Sequence, residues 1–578
     1  MKKTAAWLTR YALEQIGVKH TFGIPGVHNT ELYDELNNSE LITPNLVMHE
    51  GHGAFMADAI SRVTNSIGTL VIVPAAGVTH AASGIAEAYL DGIPMLVITG
   101  GIRNDSNFDY QLHEMDQLKL VAGFTKAAFK INNHEEVINT IYKAYDIATS
   151  GEPGPVFVEL PVNLQLDKAS VNDLPTYTRP TQPALSKKII TQIENAAQML
   201  MQAKNPVIFA GWGAVHASNT LVEISEQIAS AVATTMQGIS VFPANHPLHA
   251  GFCFGPAAAP APQNAFNNAD CVLGIGTRFG EIATGSFGGQ LPENLIHIDI
   301  NPDVFDANFK TAIAIEGDSA QICQQLLSTL KKLGLAKDSS QVVQQIATDK
   351  KTYRDSWYQH DSKDRVNPAL YFDELRTQLS DNAYLVVDDG NHTFLTAELM
   401  PIHQAYGFIS PTDFNCMGYA TPAAIAVKMA KPQQEVHAIV GDGAFMMTAT
   451  ELATAVSQHL GLVIGVFNDG ELSQIAQAQQ IPYNRKTCTV LPQTKLKGLA
   501  MATGAEYVRI ENNNEIRAGL TKARALAQEN KAVILDINID YSKATAFTEG
   551  AVKTNLKRMP LPTKVRMVGR AMVRKVTG

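Results

Sequence analysis

Cysteine is scarce in this sequence of 578 residues, and its five cysteines stand far apart without a C-x-x-C pair. This scarcity excludes a disulfide framework and a cysteine-rich zinc site, and it is typical of a reducing compartment. No stretch approaches the roughly 18 uninterrupted apolar residues that span a membrane. The Met1-Lys2-Lys3 start is not followed by the apolar run of a signal peptide, because Arg10 and Glu14 interrupt it. We therefore expect a soluble, cytoplasmic protein.

The chain also lacks an excess of basic charge and any long polar low-complexity tract. Lys+Arg 46 against Asp+Glu 55 gives a net charge of −9, which argues against a nucleic-acid partner. Hydrophobic residues make up 45% of the chain, which is enough for several buried cores. At about 150 residues per domain, the length predicts three or four domains.

Short β-branched runs alternate with helical patterns through most of the sequence. Continuously apolar strands separated by helices predict mostly parallel sheets that are covered on both faces. The predicted fold class is therefore α/β, with consecutive doubly wound domains. The strand candidates are residues 69–73, 95–98, 206–209, 272–275, 436–440, 463–467 and 532–537.

Two stretches of the chain are typical of linkers. Residues 173–186 contain three prolines, and residues 352–368 are polar and charged. Separating the chain there gives units of ordinary domain size. The predicted units are an N-terminal domain, a central domain, a C-terminal domain and a tail, at residues 1–172, 187–351, 369–545 and 550–578.

The tail contains eight Lys and Arg residues and has no acidic residue after Glu549. Its pattern predicts a basic amphipathic helix. One face carries Val565, Val568, Met572 and Val576, and the other carries Arg566, Arg570 and Arg574. Two interpretations stay open: the tail packs on an acidic region of its own oligomer, or it makes peripheral contact with a membrane.

Oxygen-bearing side chains follow two predicted strands of the C-terminal domain. Gly441-Asp442-Gly443-Ala444 comes directly after strand 436–440, and Asn468-Asp469-Gly470-Glu471 comes after strand 463–467. Ligands of open α/β sheets bind at the carboxyl ends of strands, where a helix N-terminus also attracts an anion. Oxygen-only ligands suit Mg²⁺, which usually keeps a diphosphate among its ligands. An ordinary surface Asp-Gly turn is the alternative for the first motif alone.

This pair of motifs resembles the G-D-G … N-N signature of thiamine-diphosphate enzymes of the acetolactate synthase group. The resemblance implies an N-terminal pyrimidine-binding domain, a Rossmann-like central domain and a C-terminal diphosphate-binding domain. It also implies that Mg²⁺ is bound by Asp442, Asp469 and the carbonyl of Glu471. The family usually has Asn where this chain has Asp469. A carboxylate is also a good ligand for Mg²⁺ and adds one negative charge.

The resemblance extends to the N-terminal domain. Residues 22–26 resemble the family's F-G-x-P-G, and residues 49–62 resemble its H-E-x-x-A-x-x-M-A-x-x-x-x-R segment. The resemblance implies that Glu50 hydrogen-bonds the aminopyrimidine ring of the cofactor and so promotes removal of the thiazolium C2 proton. Without the resemblance, Glu50 is an ordinary acidic residue at a helix N-terminus.

Further cofactor contacts follow from the same resemblance. Asp389-Gly390-Asn391-His392 lies where the family contacts the diphosphate, and Met417 lies where a large apolar residue supports the bent cofactor. Met417 as core filler is the alternative. The implied cofactor-binding residues are Glu50, Gly390, Asn391, His392, Met417, Gly441, Asp442, Gly443, Ala444, Asp469 and Glu471.

Three residues are candidates for contact with the substrate. His28 lies in the first loop, where benzaldehyde-lyase-like members also have a histidine that relays protons; a surface histidine is the alternative. Synthases carry a glutamine in the run F-Q-E-x-D, and the matching run here, residues 112–116, contains His113 and follows Gln111. The sequence does not decide which of Gln111 and His113 faces the substrate.

Flavin binding stays open from the sequence. Residues 276–285 keep the frame of the family's G-x-R-F-D-D-R-x-T-G run. Gly280 replaces its first aspartate, however, and Ile282 replaces its second arginine. Two polar contacts to FAD are therefore lost.

The resemblance implies a 2-oxo acid decarboxylase and carboligase that depends on thiamine diphosphate and Mg²⁺. Pyruvate is the expected donor, and a second 2-oxo acid or an aldehyde is the expected carbonyl acceptor. The alternatives are a FAD-linked pyruvate oxidase at the membrane, a benzaldehyde-lyase-like acyloin lyase or ligase, and a non-catalytic regulatory subunit. Relatives bind the cofactor between subunits, which implies a homodimer or a homotetramer.

Overall fold

The computed structural model describes residues 1–334 and 337–577, except for the side chains of residues 481, 576 and 577. The side chain of Val576 and all of Gly578 lie outside the described residues. The chain forms three six-stranded sheets, which follow one another in sequence. Strand pairing within these three sheets is parallel, which confirms the predicted α/β class.

Each of the seven predicted strands is present. The three sheets have the orders β3-β2-β4-β5-β7-β6, β11-β10-β9-β12-β13-β14 and β16-β15-β17-β18-β20-β19, while β1 and β8 pair antiparallel. The strands are β1 (Lys2–Thr4), β2 (His20–Gly23), β3 (Thr43–Leu46), β4 (Gly68–Ile72), β5 (Met95–Gly101), β6 (Ala127–Lys130), β7 (Pro155–Pro161), β8 (Lys168–Ser170), β9 (Pro206–Ala210), β10 (Ala231–Thr234), β11 (His249–Phe252), β12 (Cys271–Ile275), β13 (Leu295–Asp299), β14 (Ile313–Glu316), β15 (Tyr384–Val387), β16 (Phe408–Ile409), β17 (Val436–Gly441), β18 (Leu462–Asn468), β19 (Glu506–Ile510) and β20 (Ala532–Asn538).

Helices connect the strands and cover the sheets, as parallel pairing requires. The helices are α1 (Ala5–Gln15), α2 (Thr30–Asn37), α3 (Glu50–Val63), α4 (Ala76–Asp91), α5 (Gln117–Val121), α6 (Val137–Thr149), α7 (Val162–Leu166), α8 (Lys187–Gln202), α9 (Ser218–Ile228), α10 (Pro260–Asn267), α11 (Ser319–Lys332), α12 (Ser340–Tyr358), α13 (Pro368–Gln378), α14 (Asn391–Leu399), α15 (Ala420–Ala430), α16 (Asp442–Thr448), α17 (Leu452–Ser457), α18 (Ser473–Tyr483), α19 (Leu496–Thr503), α20 (Ile516–Gln528), α21 (Ala546–Arg558) and α22 (Leu561–Thr577). Within the described residues, no helix combines the length and the hydropathy needed to cross a membrane.

The three large sheets lie within the predicted ranges 1–172, 187–351 and 369–545. The exact domain boundaries stay a prediction. Helix α12 runs across the position where the central domain is predicted to end. The tail begins within α21, and the amphipathic helix predicted from its pattern is confirmed as α22.

The first and third domains share one buried core, in which α3 packs against α15. Arg62 on α3 lies between two carboxylates, with its Nε 2.7 Å from Asp58 Oδ1 and its Nη2 2.8 Å from Asp91 Oδ2. Tyr419, just before α15, donates a hydrogen bond from its hydroxyl group to Asp58. A buried cation is tolerated only when such partners compensate for its lost hydration. This network therefore fixes how α3 docks on the third domain.

Glu87 adds a further carboxyl to this interface. Its side chain is buried, and its two oxygens accept hydrogen bonds from the backbone N–H groups of Thr412 (3.2 Å) and Cys416 (2.9 Å). Burial, with the charge of Asp91 nearby, raises the pKa of Glu87 to about 9. Glu87 is therefore protonated at neutral pH.

We predict that Glu87→Gln makes folding stability less dependent on pH. In the unfolded chain Glu87 ionises near its ordinary pKa of 4.5, whereas the folded chain keeps the proton up to about pH 9. The folded state therefore binds more protons, and wild-type stability falls as pH rises across this interval. A neutral glutamine lacks this cost. The melting temperature of the variant, measured by calorimetry, should rise relative to that of wild type as the pH increases from 5 to 9.

The matched control is Glu40→Gln, which removes an exposed carboxyl. Its melting temperature should follow wild type at every pH. Parallel pH profiles for Glu87→Gln and wild type would show that Glu87 is ionised in the folded protein.

Candidate functional site

The carboxyl ends of β17 and β18 lie side by side, with Gly441 paired to Phe467. Asp442 begins α16, and its two carboxylate oxygens accept hydrogen bonds from the N–H groups of Gly443 (2.9 Å) and Gly470 (2.8 Å). The second bond ties the loop after β17 to the loop after β18. The structure therefore brings together the two oxygen-rich strand ends that the sequence pattern pairs.

Asp469 is the second carboxylate at this edge. It accepts hydrogen bonds from the Ser473 hydroxyl and from the backbone N–H of Glu471 (3.4 Å). Burial raises the pKa of Asp469, and burial with the Asp469 charge raises the pKa of Asp442 to about 6. Two neighbouring buried carboxylates of this kind are stabilised by a divalent cation. The Glu471 carboxylate is paired with Lys486 at 2.6 Å, so only its backbone carbonyl is a suitable ligand.

A buried histidine lies between the ends of β15 and β17. A Cβ added to Gly390 would lie 2.6 Å from His392 Cε1, and one added to Gly441 would lie 3.1 Å from it. His392 Nε2 has no hydrogen-bond partner among the described residues. Burial lowers the pKa of His392 to about 3, so the ring is neutral and carries one N–H. The Asp388 carbonyl already accepts a hydrogen bond from this ring, so Nε2 can accept a hydrogen bond but has no proton to donate. The two glycines let the backbone at these strand ends come close to an anion such as a diphosphate.

The remaining predicted cofactor contacts are distributed around this edge. Asn391 donates from Nδ2 to Gln477 Oε1 at 3.2 Å. Met417 is half-buried and packs against the core shared by the first and third domains. A Cβ on Gly443 would lie 2.6 Å from Leu472 Cδ2, so a side chain there would displace Leu472. Ala444 is buried in the core, which leaves its backbone for contact with a ligand.

Glu50 is the first residue of α3, and its side chain is buried. The preceding residue, His49, caps the helix by accepting a hydrogen bond from Gly51 N–H at 3.0 Å. Glu50 Oε2 lies 3.0 Å from Nδ1 of His80, on α4, and the rings of His49 and His80 stack with their centroids 4.7 Å apart. His80 was not predicted from the sequence, because nothing local links it to a residue thirty positions earlier.

Glu451 was also missed from the sequence. It lies after α16, and its Oε2 accepts a hydrogen bond from Met48 N–H (3.0 Å) and lies 2.7 Å from His52 Nδ1. These contacts hold the start of α3 against the third domain. No hydrogen bond or ion pair between described residues joins Glu50 to Asp442 or Asp469.

The structure distinguishes His113 from Gln111. His113 Nδ1 lies 3.3 Å from Nδ1 of His28, which is buried. Burial, followed by the neighbouring His113, lowers the pKa of His28. Gln111 instead donates from Nε2 to the carbonyl of Arg103 at 3.3 Å. His113 is therefore the residue that joins His28.

The flavin-like run lies at a cavity of about 620 Å³, whose wall includes Gly213, Gly276 and Asp299. Arg278 of this run pairs with Glu152 and with Asp413 (2.9 Å), and so links the central domain to the other two. A side chain at Gly280 would meet open space. Binding of FAD stays a prediction.

Three protein-family models match this chain. They are the N-terminal TPP-binding domain (residues 3–120), the central domain (193–326) and the C-terminal TPP-binding domain (388–537) of thiamine pyrophosphate enzymes. The last match contains the β15, β17 and β18 strand ends and their carboxylates, and the first contains Glu50. Thiamine diphosphate is therefore the cofactor of these two domains.

Relatives of known name cover nearly the whole chain. A probable acetolactate synthase large subunit of Methanocaldococcus jannaschii is 32% identical over 548 residues, 92% of this chain and 91% of the relative. The acetolactate synthase isozyme 3 large subunit of Escherichia coli is 29% identical over 94% of this chain and 96% of its own length. The mitochondrial acetolactate synthase catalytic subunit of Saccharomyces cerevisiae is 28% identical over 90% of this chain and 79% of its own length. The chain therefore belongs to the acetolactate synthase family of thiamine-diphosphate enzymes.

Proposed function

We propose that the protein is a cytoplasmic 2-oxo acid decarboxylase and carboligase that joins two pyruvate molecules into acetolactate. Two pyruvate anions and one proton give acetolactate and CO2, as one carbon–carbon bond breaks and another forms. The observation that carries this proposal is the carboxyl edge of the third sheet, where Asp442 and the loop of Asp469 are joined and the buried His392 ring lies beside Gly441. The names of the relatives support the same reaction.

The residues at this edge fit the diphosphate end of the cofactor. Asp442, Asp469 and the Glu471 carbonyl would hold Mg²⁺, and the backbone N–H groups of residues 390–391 and 441–443, beside the His392 ring, would hold the diphosphate. When bound, thiamine diphosphate supplies the electron sink for decarboxylation and for the new carbon–carbon bond. Glu50 would hydrogen-bond the aminopyrimidine ring of the cofactor from its buried carboxyl group.

The paired histidines are suited to handling the acceptor. His28 is buried and has a lowered pKa, so it is neutral at pH 7 and accepts or donates a hydrogen bond. Nδ1 of His113 lies 3.3 Å from Nδ1 of His28. We assign them to orienting the acceptor carbonyl and to protonating the oxygen that becomes the new hydroxyl group.

The family resemblance implies that the cofactor lies between two subunits of a homodimer. Within one chain, no hydrogen bond or ion pair between described residues joins Glu50 to Asp442 or Asp469. A cofactor held by Glu50 would then have the Mg²⁺ on its diphosphate held by Asp442 of the partner subunit, and two such sites form around a twofold axis. A homotetramer is a pair of these dimers.

The reaction is tested by proton NMR of purified protein with thiamine diphosphate, Mg²⁺ and pyruvate. We expect acetolactate from wild type and a loss of about 10²–10⁴ in rate for Glu50→Gln, which is the range that a positioned acid or base contributes. His113→Asn should lower the acetolactate formed per pyruvate consumed, because it disturbs the acceptor side only. Gln111→Asn is the matched control and should match wild type.

Pyruvate left untouched by wild type would refute pyruvate as the donor. Equal yields from His113→Asn and Gln111→Asn would remove the histidine pair from the acceptor site.

Subunit complementation tests the shared site. Glu50→Gln and Asp442→Asn should each be inactive alone. After subunit exchange, equal amounts should regain about a quarter of wild-type activity, because half of the dimers are mixed and each has one intact site. A mixture as inactive as its components, with exchange confirmed by mass spectrometry, would place both residues of each site in one chain.

The tail helix α22 provides a second surface. Leu561, Val565, Val568 and Met572 are more than half exposed. On the other side, Arg570 donates from Nε to the Pro482 carbonyl at 3.1 Å, at the end of α18. An exposed apolar row in a segment with eight basic residues complements an anionic lipid surface. We propose that α22 makes peripheral contact with such a membrane.

Co-sedimentation with vesicles measures this contact. The full-length holoenzyme should sediment with phosphatidylglycerol–phosphatidylcholine vesicles and not with pure phosphatidylcholine. Val568→Asp with Met572→Asp should abolish sedimentation, whereas Lys332→Met on exposed α11 surface should not. Binding that survives the double variant, or an oligomer that the double variant dissociates without vesicles, would show that α22 serves another contact.

A further inference from the structure

A second cavity, of about 410 Å³, lies between the central and C-terminal domains. Its walls come from β11, α10, α12 and the end of α14. It contains none of the residues that we assign to the thiamine site or to the histidine pair. Its volume suits a small molecule. The apolar part of its wall includes Ile239, Ala250, Phe252, Pro260, Leu399 and Met400.

One cation in this wall lacks an anionic partner. Lys350, on α12, has its Nζ 3.1 Å from Nδ1 of His249. No carboxylate oxygen of the described residues lies within 4.0 Å of this ammonium group. Burial lowers the pKa of Lys350 to about 8, and burial together with Lys350 lowers the pKa of His249 well below its ordinary value. The pair therefore carries one positive charge, on Lys350, at neutral pH.

The other charged groups of the wall already have partners. Asp349 accepts hydrogen bonds from Asn264 (2.9 Å) and Gln345 (3.0 Å). Glu398 accepts one from the Tyr353 hydroxyl and others from the backbone N–H groups at the start of α21. The remaining pairs are Lys351–Asp355 and Arg354–Asp373. None of these carboxylates is free to turn to Lys350 without losing its own hydrogen bonds.

We propose that this cavity binds a small aliphatic monocarboxylate, with its carboxylate on Lys350 and its hydrocarbon part against Phe252 and Leu399. A half-buried ammonium group gains most from an anion that also hydrogen-bonds to it. The surrounding apolar wall favours a ligand whose remainder is hydrocarbon over inorganic phosphate. Because two domains form the wall, the bound ligand stabilises their packing.

Calorimetric titration of the holoenzyme compares three probes that differ in charge and in the size of their hydrocarbon part. Isovalerate has both the charge and the hydrocarbon, isovaleramide has the same shape without the charge, and acetate has the charge with little hydrocarbon. We expect isovalerate to bind at least about tenfold more tightly than either, a difference near 1.4 kcal/mol. Isovalerate has no 2-oxo group, so it is not consumed.

Variants identify where the probe binds. Lys350→Met should weaken isovalerate binding at least tenfold, while Lys350→Arg, which keeps the charge, should retain it. Lys332→Met, an exposed lysine on α11, is the matched control and should bind like wild type. Pyruvate turnover should continue in all three variants, which separates this site from the thiamine site.

A crystal structure of the wild-type holoenzyme with 4-bromobutyrate locates the bound carboxylate without any substitution in the protein. The anomalous signal of bromine should lie between Phe252 and Leu399. A signal confined to the thiamine site, equal binding of isovalerate and isovaleramide, or unchanged binding in Lys350→Met would each overturn the proposal.

Discussion

Arg62 is the residue on which the placement of the N-terminal half of the site depends. It lies at the end of α3, between Asp58 and Asp91, and it is sealed from water by Tyr419 of the third domain. A guanidinium group at this depth is stable only while both carboxylates remain in place. Glu50 begins the same helix, so its position relative to the third domain follows from this packing. The contact of His52 with Glu451 secures the other end of α3.

The functional features of the molecule are buried polar groups that the chain alone does not fully satisfy. Asp442 and Asp469 lie close together at one strand edge, and Nε2 of His392 has no hydrogen-bond partner among the described residues. In a different cavity, Lys350 has no carboxylate within 4.0 Å among the residues that the structure describes. By contrast, Glu87 and Arg62 are hydrogen-bonded to neighbouring groups at the interface of two domains and serve packing.

Much of the fold was predictable, because its signals are local. An apolar run of five residues between helices is a buried parallel strand, and a carboxylate directly after it lies at the carboxyl edge. Two such runs predicted the meeting of Asp442 with the loop that contains Asp469, and the structure joins these loops through Gly470. The amphipathic period of the tail likewise predicted α22.

The sequence by itself determined the three α/β domains, the oxygen-rich strand ends and the resemblance to thiamine-diphosphate enzymes. Only the tertiary structure decided that His113 rather than Gln111 meets His28, and that His80 and Glu451 approach the start of α3. The tertiary structure also shows that, among the described residues, no carboxylate lies within 4.0 Å of the Lys350 ammonium group. The physical reason is distance along the chain. Strand and turn preferences act over a few residues, whereas His52 and Glu451 are brought together by the packing of whole domains.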